Sequence, residues 1–493
     1  MVFWVMDYRD FDTELRRLRK EILVRLIGAF GSENFADEVE KMAKDVAVNF
    51  ANGLGEPEKV RAEIHERTVA ALGFSAEERG GEDIQKLADE ALIRSENEEY
   101  PLTVLSAACN RCPAAHYEST ALCRNCTAKY CMAACRFGAI SMANGRSSID
   151  AAKCKKCDQC RRSCPYGAIA KTVVPCQAQC PVDAIGKGES GKITIDFDRC
   201  ISCGRCSVGC PFGAIAVKSQ IVSVLRSMAN GETIALYAPS WIGQHGSSGA
   251  KLRSALRKVG FSDSCEVALG AEFTAIEEAE DFRKHLDDGK PFMTTSCCAA
   301  YNEFREKHLK EINPYVSKAE TPLFHTAKLL RRRRPKAILV FISPCFAKYR
   351  EVRQNPNVDY VLNYEEIDAL FTARSVDLSG CDEKTSERPC AKEAREFGLS
   401  GGVARSVQAA WKGDGSAVKP VVIDGLTKET INQLRSYVRE NRCADGNLVE
   451  VMACAGGCAG GPATICSLKK SQPRIAEDAA TGPSIAAVQL PAE

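Results

Sequence analysis

Cysteine is the residue that most constrains this chain. The 493 residues include 26 cysteines, a number that requires either a framework of disulfides or a set of metal sites. The N-terminal stretch scatters charges among its apolar residues and lacks a secretory hydrophobic segment, and no apolar run approaches the roughly 20 residues of a membrane span. We therefore expect a cytoplasmic protein whose thiols stay reduced and bind metal.

The chain is too long for one hydrophobic core, and its composition changes twice. Residues 1–98 contain no cysteine and show helical periodicity, which predicts a small helical domain without an assignable role. Residues 99–218 hold sixteen cysteines and only short β-prone runs. Residues 219–493 alternate apolar runs with helical stretches, which predicts an α/β domain of mostly parallel strands flanked by helices. The nearly balanced charge, +2 overall, argues against a nucleic-acid surface.

The sixteen cysteines follow the spacing of bacterial ferredoxins, C-x2-C-x2-C-x3-C-P, in which the fourth cysteine binds the neighbouring cluster. Two runs match fully, a third has a longer gap and no proline, and a fourth keeps only its second half. The matching runs are Cys154, Cys157, Cys160 and Cys164, then Cys200, Cys203, Cys206 and Cys210. The partial runs are Cys123, Cys126, Cys131 and Cys135, then Cys176 and Cys180.

Pairing these runs as ferredoxins do predicts two ferredoxin-like α+β modules with four [4Fe-4S] clusters. The pair Cys109 and Cys112 completes the last cluster. Zinc ribbons also use C-x2-C pairs, but the repeated C-P steps favour iron-sulfur clusters. The expected ligand sets are Cys123, Cys126, Cys131 and Cys164; Cys154, Cys157, Cys160 and Cys135; Cys200, Cys203, Cys206 and Cys180; and Cys109, Cys112, Cys176 and Cys210.

Beyond residue 220 the cysteines stand in three separate motifs: T-S-C-C at residues 295–298, S-P-C-F-A-K-Y-R-E at 343–351 and E-V-M-A-C-A-G-G-C-A-G-G at 450–461. Four of their thiols, those of Cys298, Cys345, Cys454 and Cys458, suffice for one further cubane. Glycine pairs around the last two remove side chains, which we read as room for a bulky group. The three motifs resemble the signature loops of the [FeFe]-hydrogenase catalytic domain.

The resemblance implies an H-cluster. In that family the four cysteines hold a [4Fe-4S] cubane, and the position of Cys458 also bridges to a di-iron subsite with CO, cyanide and a dithiolate amine. Lys348 matches the lysine that pairs with one cyanide, and Met452 lies at a cofactor-binding position. The loop of Ala238, Pro239 and Ser240 resembles the one that contacts another cyanide.

A proton path is also implied. Cys297 cannot easily share the cluster corner of Cys298, so its thiol is expected to be free, and in the family its match is the first proton carrier. Glu278, Ser317 and Asp281 align with the following stations, although the family usually has glutamate in place of Asp281. Glu278, Asp281 and His285 share one face of a predicted helix. A solvated carboxylate is the plain alternative for Glu278, and His285 is expected to lie on the surface.

Three departures resemble a divergent branch, often called group B. Ala299 stands where proline is common, Ser343 replaces a methionine, and Pro462 replaces a third glycine. None removes a ligand, but they leave the turnover rate, catalytic bias and oxygen tolerance open.

The leading hypothesis is a hydrogenase that interconverts protons and electrons with H2. A sensor with slow turnover and an iron-sulfur assembly factor are the alternatives, but sensors usually lose the cysteine at position 297, and assembly factors generally lack the proton-path residues. No Rossmann fingerprint is present, so a separate ferredoxin-like electron carrier is expected. The sequence does not determine the oligomeric state.

Overall fold

The structure is a computed structural model that describes residues 13–54, 56–95, 99–383 and 388–488. The expected boundary after residue 98 falls beside residues 96–98, which lie outside this part. The first region is helical, as predicted. Its helices are α1 (Glu14–Ala29), α2 (Phe35–Leu54), α3 (Pro57–Ala71), α4 (Ala76–Arg79) and α5 (Ile84–Ile93).

The cysteine-rich region consists of short strands and one-turn helices. They are β1 (Leu102–Val104), β2 (His116–Ser119), α6 (Tyr130–Ala133), β3 (Ile140–Ala143), β4 (Arg146–Ile149), α7 (Gln159–Ser163), β5 (Ile169–Thr172), α8 (Pro175–Gln179), β6 (Ile185–Lys187), β7 (Ile193–Ile195), α9 (Arg205–Gly209) and β8 (Ile215–Val217).

These elements form two units of antiparallel pairs. In the first cysteine unit, residues 116–172, β2 pairs with β5 and β3 pairs with β4. In the second cysteine unit, residues 102–112 and 174–217, β1 pairs with β8 and β6 pairs with β7. Each unit contains eight cysteines. The first unit is therefore inserted in the chain between the first strand of the second unit and the remainder of that unit.

The third region has two parallel sheets, with the strand orders β10-β9-β12-β13 and β11-β15-β14. Its strands are β9 (Thr233–Tyr237), β10 (Asp263–Glu266), β11 (Met293–Thr294), β12 (Ile338–Ile342), β13 (Tyr360–Leu362), β14 (Pro420–Asp424) and β15 (Leu448–Met452). Its helices are α10 (Ile221–Asn230), α11 (Ile242–His245), α12 (Gly249–Lys258), α13 (Ala268–Asp287), α14 (Ala299–His308), α15 (Pro322–Arg333), α16 (Ala347–Gln354), α17 (Tyr364–Ala373), α18 (Lys392–Arg395), α19 (Gly402–Ala410), α20 (Lys428–Glu440) and α21 (Leu468–Ala479).

The four-stranded sheet is covered on both faces. Along β9, Ile234 and Leu236 belong to one hydrophobic cluster, while Ala235 and Tyr237 belong to another. This alternation arises because successive side chains of a strand point to opposite faces of the sheet. Both clusters are buried, as is usual for parallel sheets. The mixed α/β architecture predicted from the sequence is therefore present.

Helices α1 to α5 pack against the α/β region. Buried apolar residues of α1, α2, α3 and α5 belong to the same hydrophobic cluster as those of α10, α12 and α17. An ion pair joins Lys20 in α1 to Asp368 in α17, with the two charged atoms 2.7 Å apart. Arg67 in α3 is 5% exposed and donates to the carbonyls of Phe212 and Gly213 in the second cysteine unit, at 3.0 and 3.1 Å. The N-terminal helices thus bridge two other parts of the molecule.

Helix α13 carries several of the predicted site residues, and its position depends on one glycine. A Cβ at Gly270 would lie 1.9 Å from the carbonyl oxygen of Pro322, the first residue of α15. Glycine therefore allows these two helices to approach closely. Among the described residues, no helix has the length and apolar character needed to cross a membrane.

Candidate metal centre

Four cysteines of the α/β region lie just beyond the carboxyl ends of parallel strands. Cys298 follows β11 and caps the N-terminus of α14, Cys345 lies between β12 and α16, and Cys454 and Cys458 follow β15. Parallel strands present their carboxyl ends at one edge of a sheet, where α/β proteins usually bind ligands. The chain topology therefore directs these motifs toward a common site.

The electrostatics show that the four thiols are neighbours. Burial, and after it the charge of the neighbouring Cys298, raise the pKa of Cys345 to about 11. Burial raises the pKa of Cys458 to about 12, with contributions from Cys345 and Cys298. The pKa of Cys454 is raised by burial, then by Cys345 and Cys298. Such thiols lose their protons only if a bound cation compensates the thiolate charges, as an iron cluster does.

A single metal ion is the alternative to a cluster at these thiols. Within the described residues, no three His, Cys, Asp or Glu side chains converge tightly enough to hold a single metal ion. A tetrahedral zinc site with bonds of about 2.3 Å brings its sulfurs to roughly 3.8 Å from one another. A cubane separates its cysteine sulfurs more widely, because each sulfur binds a different iron. A cubane at these four thiols stays a prediction of the cysteine motifs.

The glycines of the last motif have a different role from the one expected. A Cβ at Gly457 would lie 2.7 Å from the backbone of Leu399 and Ser400, and one at Gly460 would lie 1.9 Å from the carbonyl oxygen of Ala455. The prediction that these glycines make room for a bulky cofactor is therefore wrong for both positions. They allow close packing of the loop on itself and on the segment before α19.

Cys297 and Glu278 are neighbouring titratable groups, of which Cys297 is partly buried and Glu278 is buried. Burial raises the pKa of the Cys297 thiol, and the neighbouring Glu278 carboxylate raises it further. Glu278 is 0% exposed, and burial raises its pKa to about 8. Its Oε1 accepts hydrogen bonds from the Ser296 amide at 2.9 Å and hydroxyl at 3.4 Å. The described residues offer no partner to its Oε2. The alternative of an ordinary solvated carboxylate is therefore wrong.

Asp281 follows Glu278 on α13, and Ser317, from the segment before α15, contacts it. The Ser317 hydroxyl donates to Asp281 Oδ2 at 3.3 Å, and the Lys318 amide donates to the same oxygen at 2.8 Å. His285 is 7% exposed, so the expectation of a surface histidine is wrong. Its Nδ1 is 3.0 Å from the Asp281 carbonyl oxygen. Asp281 thus connects Ser317 with the exposed Lys318 and lies about one helical turn from Glu278.

Lys348 lies in the first turn of α16 and its ammonium is buried. Burial would lower its pKa, but the Glu351 carboxylate outweighs this effect, and Cys345 and Cys297 contribute in the same direction, so the net pKa is raised. Lys348 Nζ lies 2.5 Å from Glu351 Oε2. A cation is therefore held beside the thiols, as a site for an anionic ligand requires.

The remaining cofactor-binding candidates are buried around the same edge. Ala238 and Ser240 follow β9 and are 6% and 0% exposed, while Met452, the last residue of β15, is 2% exposed. Pro239 begins a short 3-10 helix. The Ser240 hydroxyl lies 2.7 Å from the Tyr364 hydroxyl, which fixes the loop against the start of α17. The structure does not assign these residues a ligand.

Glu450 is a site residue that the sequence reasoning missed. It is 0% exposed in β15, and its carboxylate accepts from the backbone amides of Gly401 and Ala404, at 2.7 and 2.8 Å, at the N-terminus of α19. Burial raises its pKa to about 7, and its charge raises the pKa values of Glu278 and Cys297. A glutamate within an apolar strand, E-V-M-A-C, was the available signal.

Several of the sixteen upstream cysteines have the neighbours that their spacing predicts, and the four ligand sets stay a prediction. After burial, the charges of Cys164 and Cys123 raise the pKa of Cys131. Likewise, after burial, the charges of Cys154, Cys135 and Cys157 raise the pKa of Cys160. After burial, the charges of Cys203, Cys200 and Cys180 raise the pKa of Cys206. The pKa of Cys176 is raised by burial and then by the charges of Cys210 and Cys112. Cys109 packs against the same small hydrophobic cluster as Cys210. Cys135, Cys154, Cys157 and Cys160 line one cavity. The assignment of Cys126 stays a prediction.

One hydrogen bond recurs in all four runs. The last cysteine of each run accepts from the amide of the alanine four residues later, at 3.4 Å for Cys135, Cys164 and Cys210 and at 3.1 Å for Cys180. Such bonds to sulfur stabilise the thiolate and tune a bound cluster. A further link reaches the α/β site, because the charge of Cys203 raises the pKa of Cys454.

Comparisons with known proteins agree with this geometry. Residues 231–462 match the family model described as iron only hydrogenase large subunit, C-terminal domain. This match contains all four thiols that converge at the edge of the sheets. The chain is a divergent [FeFe]-hydrogenase-like protein. Residues 148–170 match a 4Fe-4S binding domain, and residues 170–221 match the LdpA Fe-S cluster-binding domain, so the hydrogenase-like region follows an iron-sulfur region.

Three hydrogenases show sequence similarity. The subunit HndD of the NADP-reducing hydrogenase of Solidesulfovibrio fructosivorans is 29% identical over 260 residues, 43% of this chain and 44% of that protein. The periplasmic [Fe] hydrogenase large subunit of Nitratidesulfovibrio vulgaris is 26% identical over 63% of this chain and 84% of its own length. Iron hydrogenase 1 of Clostridium pasteurianum is 30% identical over 26% of this chain and 23% of its own length. The chain therefore spans less than half of the first of these relatives.

Solved structures of [FeFe]-hydrogenases also align with the chain. The [FeFe]-hydrogenase HydA(deltaEFG) is 18% identical, with a TM-score of 0.43, over 52% of this chain and 88% of that chain. A glutamate-to-alanine variant of HydA1 from Chlamydomonas reinhardtii is 18% identical, with a TM-score of 0.45, over 54% of this chain and 91% of that chain.

Proposed function

We propose that this protein is a hydrogenase that interconverts two protons and two electrons with H2. The observation that carries the proposal is the convergence of Cys298, Cys345, Cys454 and Cys458 beside the partly buried Cys297 and the buried Glu278. A cluster site alone would support electron transfer. A cluster site with adjacent proton carriers supports chemistry that consumes both electrons and protons.

The four thiols would hold the cubane of an H-cluster, and Cys458 would also bind its di-iron subsite. An H-cluster bound there would supply the metal site at which protons and electrons combine to H2. Lys348 would donate to an anionic ligand of that group, and Ala238, Pro239, Ser240 and Met452 would enclose it. These side chains exclude water from the site, because most of them are buried.

The chain's own residues would move the protons. The Cys297 thiol exchanges a proton with Glu278, whose pKa of about 8 lets the carboxyl both hold and release a proton near neutral pH. Glu278 exchanges protons in turn with the polar groups of Ser317 and Asp281. Asp281 contacts the exposed Lys284, where solvent completes the path.

Electrons would pass through four [4Fe-4S] clusters in the two cysteine units, which we propose to be ferredoxin-like modules. The cluster of Cys180, Cys200, Cys203 and Cys206 would be the last before the catalytic site, because Cys203 lies near Cys454. A ferredoxin-like carrier would supply the electrons. We also propose a cytoplasmic location, where thiols stay reduced and can bind iron. From the departures at Ala299, Ser343 and Pro462 we also propose that the protein belongs to the divergent branch often called group B.

The test is hydrogen turnover with reduced methyl viologen, on protein matured with its di-iron subsite. The proposal predicts H2 formation by the wild type and by Cys466→Ser, whose hydroxyl can keep the bond to the Gly243 carbonyl. Cys297→Ser should retain its iron and lose about a hundredfold or more of the rate. Absence of turnover in matured, iron-loaded wild type would contradict the proposal.

A further inference from the structure

We propose that the first cysteine unit is the docking surface for an acidic electron-carrier protein, which approaches the chain at Cys157. This inference rests on the proposed function, because it locates the entry point of the electrons. In the step itself, one electron leaves the reduced carrier and enters the cluster bound by Cys157, so the carrier is oxidised by one electron and no bond is broken.

The first observation is charge. The first cysteine unit, residues 116–172, contains ten basic and three acidic residues, a formal net charge of +7. The whole chain carries +2, so the remaining residues together carry −5. Nine of the ten cations are exposed. They are Arg124, Lys129, Arg136, Arg146, Lys153, Lys155, Lys156, Arg162 and Lys171. A concentration of one sign on a nearly neutral molecule steers an oppositely charged partner to that place.

One of the three acids contributes little negative charge to the surface. The Asp158 carboxylate accepts from Arg161 at 2.7 and 2.8 Å, and Tyr117 donates to it at 2.8 Å. Arg162 donates to the same carboxylate at 3.2 Å. The charge of Asp158 is therefore neutralised within the unit, and the surface that a partner meets is strongly positive.

The second observation is exposed apolar surface. Leu122, Tyr130, Phe137 and Tyr166 are 60%, 55%, 46% and 52% exposed. They are four of the nine large hydrophobic residues that are exposed in the described part of the chain. Aromatic side chains surrounded by charges are typical of the contact surfaces of transient protein complexes. The basic unit therefore offers contacts as well as attraction.

The third observation is access to a cluster. Of the 26 cysteines, only Cys157 is exposed. It lines a cavity with Cys135, Cys154 and Cys160, and the exposed Phe137 and Lys155 border the same cavity. Electron transfer slows steeply as donor and acceptor separate, so a carrier must approach where a cluster ligand reaches the surface. The exposed thiol, an aromatic side chain and a cation coincide here.

The test measures cluster reduction directly. A purified two-cubane ferredoxin of acidic isoelectric point, or methyl viologen, is reduced and mixed anaerobically with the iron-loaded protein, and the loss of visible iron-sulfur absorbance is followed by stopped flow. The test variant is Lys155→Glu with Lys156→Glu. The matched control is Lys469→Glu with Lys470→Glu, an adjacent exposed pair on α21 that receives the same change of charge.

We expect the second-order rate constant with ferredoxin to fall about tenfold at low salt in the test variant and to change less than twofold in the control. Rates with viologen should not fall in either variant. Equal rates of the two variants with ferredoxin would overturn the proposal. The wild type gives a second readout, because salt should slow reduction by the acidic ferredoxin but not by the cationic viologen. A ferredoxin rate independent of salt would also overturn it.

The outcome is separable from that of the hydrogenase proposal, because cluster reduction precedes any catalysis and does not need the di-iron subsite. A protein without H2 turnover can still show the charge-dependent reduction, and a protein with turnover by viologen can lack it.

Discussion

Replacing Glu278 by glutamine should separate proton transfer from cluster binding. Glu278 is fully buried and its pKa is raised to about 8, first by burial and then by the charge of Glu450. The glutamine side chain of Glu278→Gln can still accept the Ser296 amide bond, which runs to Oε1 at 2.9 Å. The variant therefore keeps the local geometry but cannot carry a proton. We expect full iron content and a loss of about a hundredfold or more in H2 turnover.

The same variant should change the pH dependence of stability. The folded pKa of Glu278 is raised from 4.5 to about 8, so the stability that the protonated carboxyl allows is present below pH 4.5 and is lost as the pH rises toward 8. One pKa unit corresponds to about 1.4 kcal/mol, so the full loss approaches roughly 5 kcal/mol. Glutamine stays neutral and avoids this loss. Relative to wild type, Glu278→Gln should therefore gain stability between pH 5 and pH 8.

The assay compares thermal unfolding midpoints of the iron-loaded proteins, measured anaerobically at several pH values, and viologen-linked turnover of matured samples. The difference in midpoint between variant and wild type should rise by roughly 3 to 5 °C from pH 5 to pH 8. The control is Glu280→Gln, at an exposed glutamate on the same helix. In this variant neither the pH dependence of the unfolding midpoint nor the turnover should change. The reasoning is refuted if the midpoint difference is independent of pH, or if Glu278→Gln turns over within twofold of wild type.

Three further predictions follow from buried contacts. Glu450→Gln removes a charge that raises the pKa of Glu278, so the alkaline limit of the turnover profile should move to lower pH, and an unmoved profile would contradict this coupling. Arg395→Met leaves Glu266 buried without its bidentate partner, whose bonds are 2.9 and 3.1 Å long. Denaturant unfolding should show a loss of about 3 to 5 kcal/mol in the free energy of unfolding. The control Arg439→Met, at an exposed arginine, should change this free energy little. Gly270→Ala places a Cβ 1.9 Å from the Pro322 carbonyl oxygen and should lower the unfolding midpoint far more than Gly289→Asn, where the space is open and asparagine tolerates the positive φ.

Cysteine spacing predicts ligand sets from the sequence alone because it follows from the local geometry of metal binding, and these sets stay a prediction. A C-x2-C-x2-C run brings its sulfurs to one cluster through backbone turns of its own, so no knowledge of distant contacts is needed. The apolar runs also predicted β9, β12, β14 and β15. Strands buried on both faces are continuously apolar, and β9, β12 and β15 are buried in this way, whereas β14 is largely exposed. Short strands such as β10, with a polar residue at its start, gave no such signal.

Residues whose environment comes from distant parts of the chain were predicted less well. His285 was expected on the surface because helical periodicity gives a face but does not say what covers that face. The glycines at 457 and 460 were assigned to a cofactor, whereas backbone from other positions occupies the space around them. Glu450 was overlooked because its role depends on α19, which lies about fifty residues earlier and supplies the amides that bind it.

The division of the chain at residues 98 and 218 remains a prediction about composition. Helices α1, α2, α3 and α5 share a hydrophobic cluster with the α/β region, a contact that local periodicity could not reveal. The N-terminal helices lack cysteine and nevertheless contact both the second cysteine unit and α17.

Infrared spectroscopy tests the central claim most directly, because metal-bound CO and cyanide absorb where protein groups do not. After maturation with a di-iron subsite, the wild type should show bands of both ligands, and Cys458→Ser, with its sixteen upstream cysteines intact, should retain upstream clusters but show none. A fully iron-loaded wild type without CO and cyanide bands would mean that the four converging thiols hold no H-cluster.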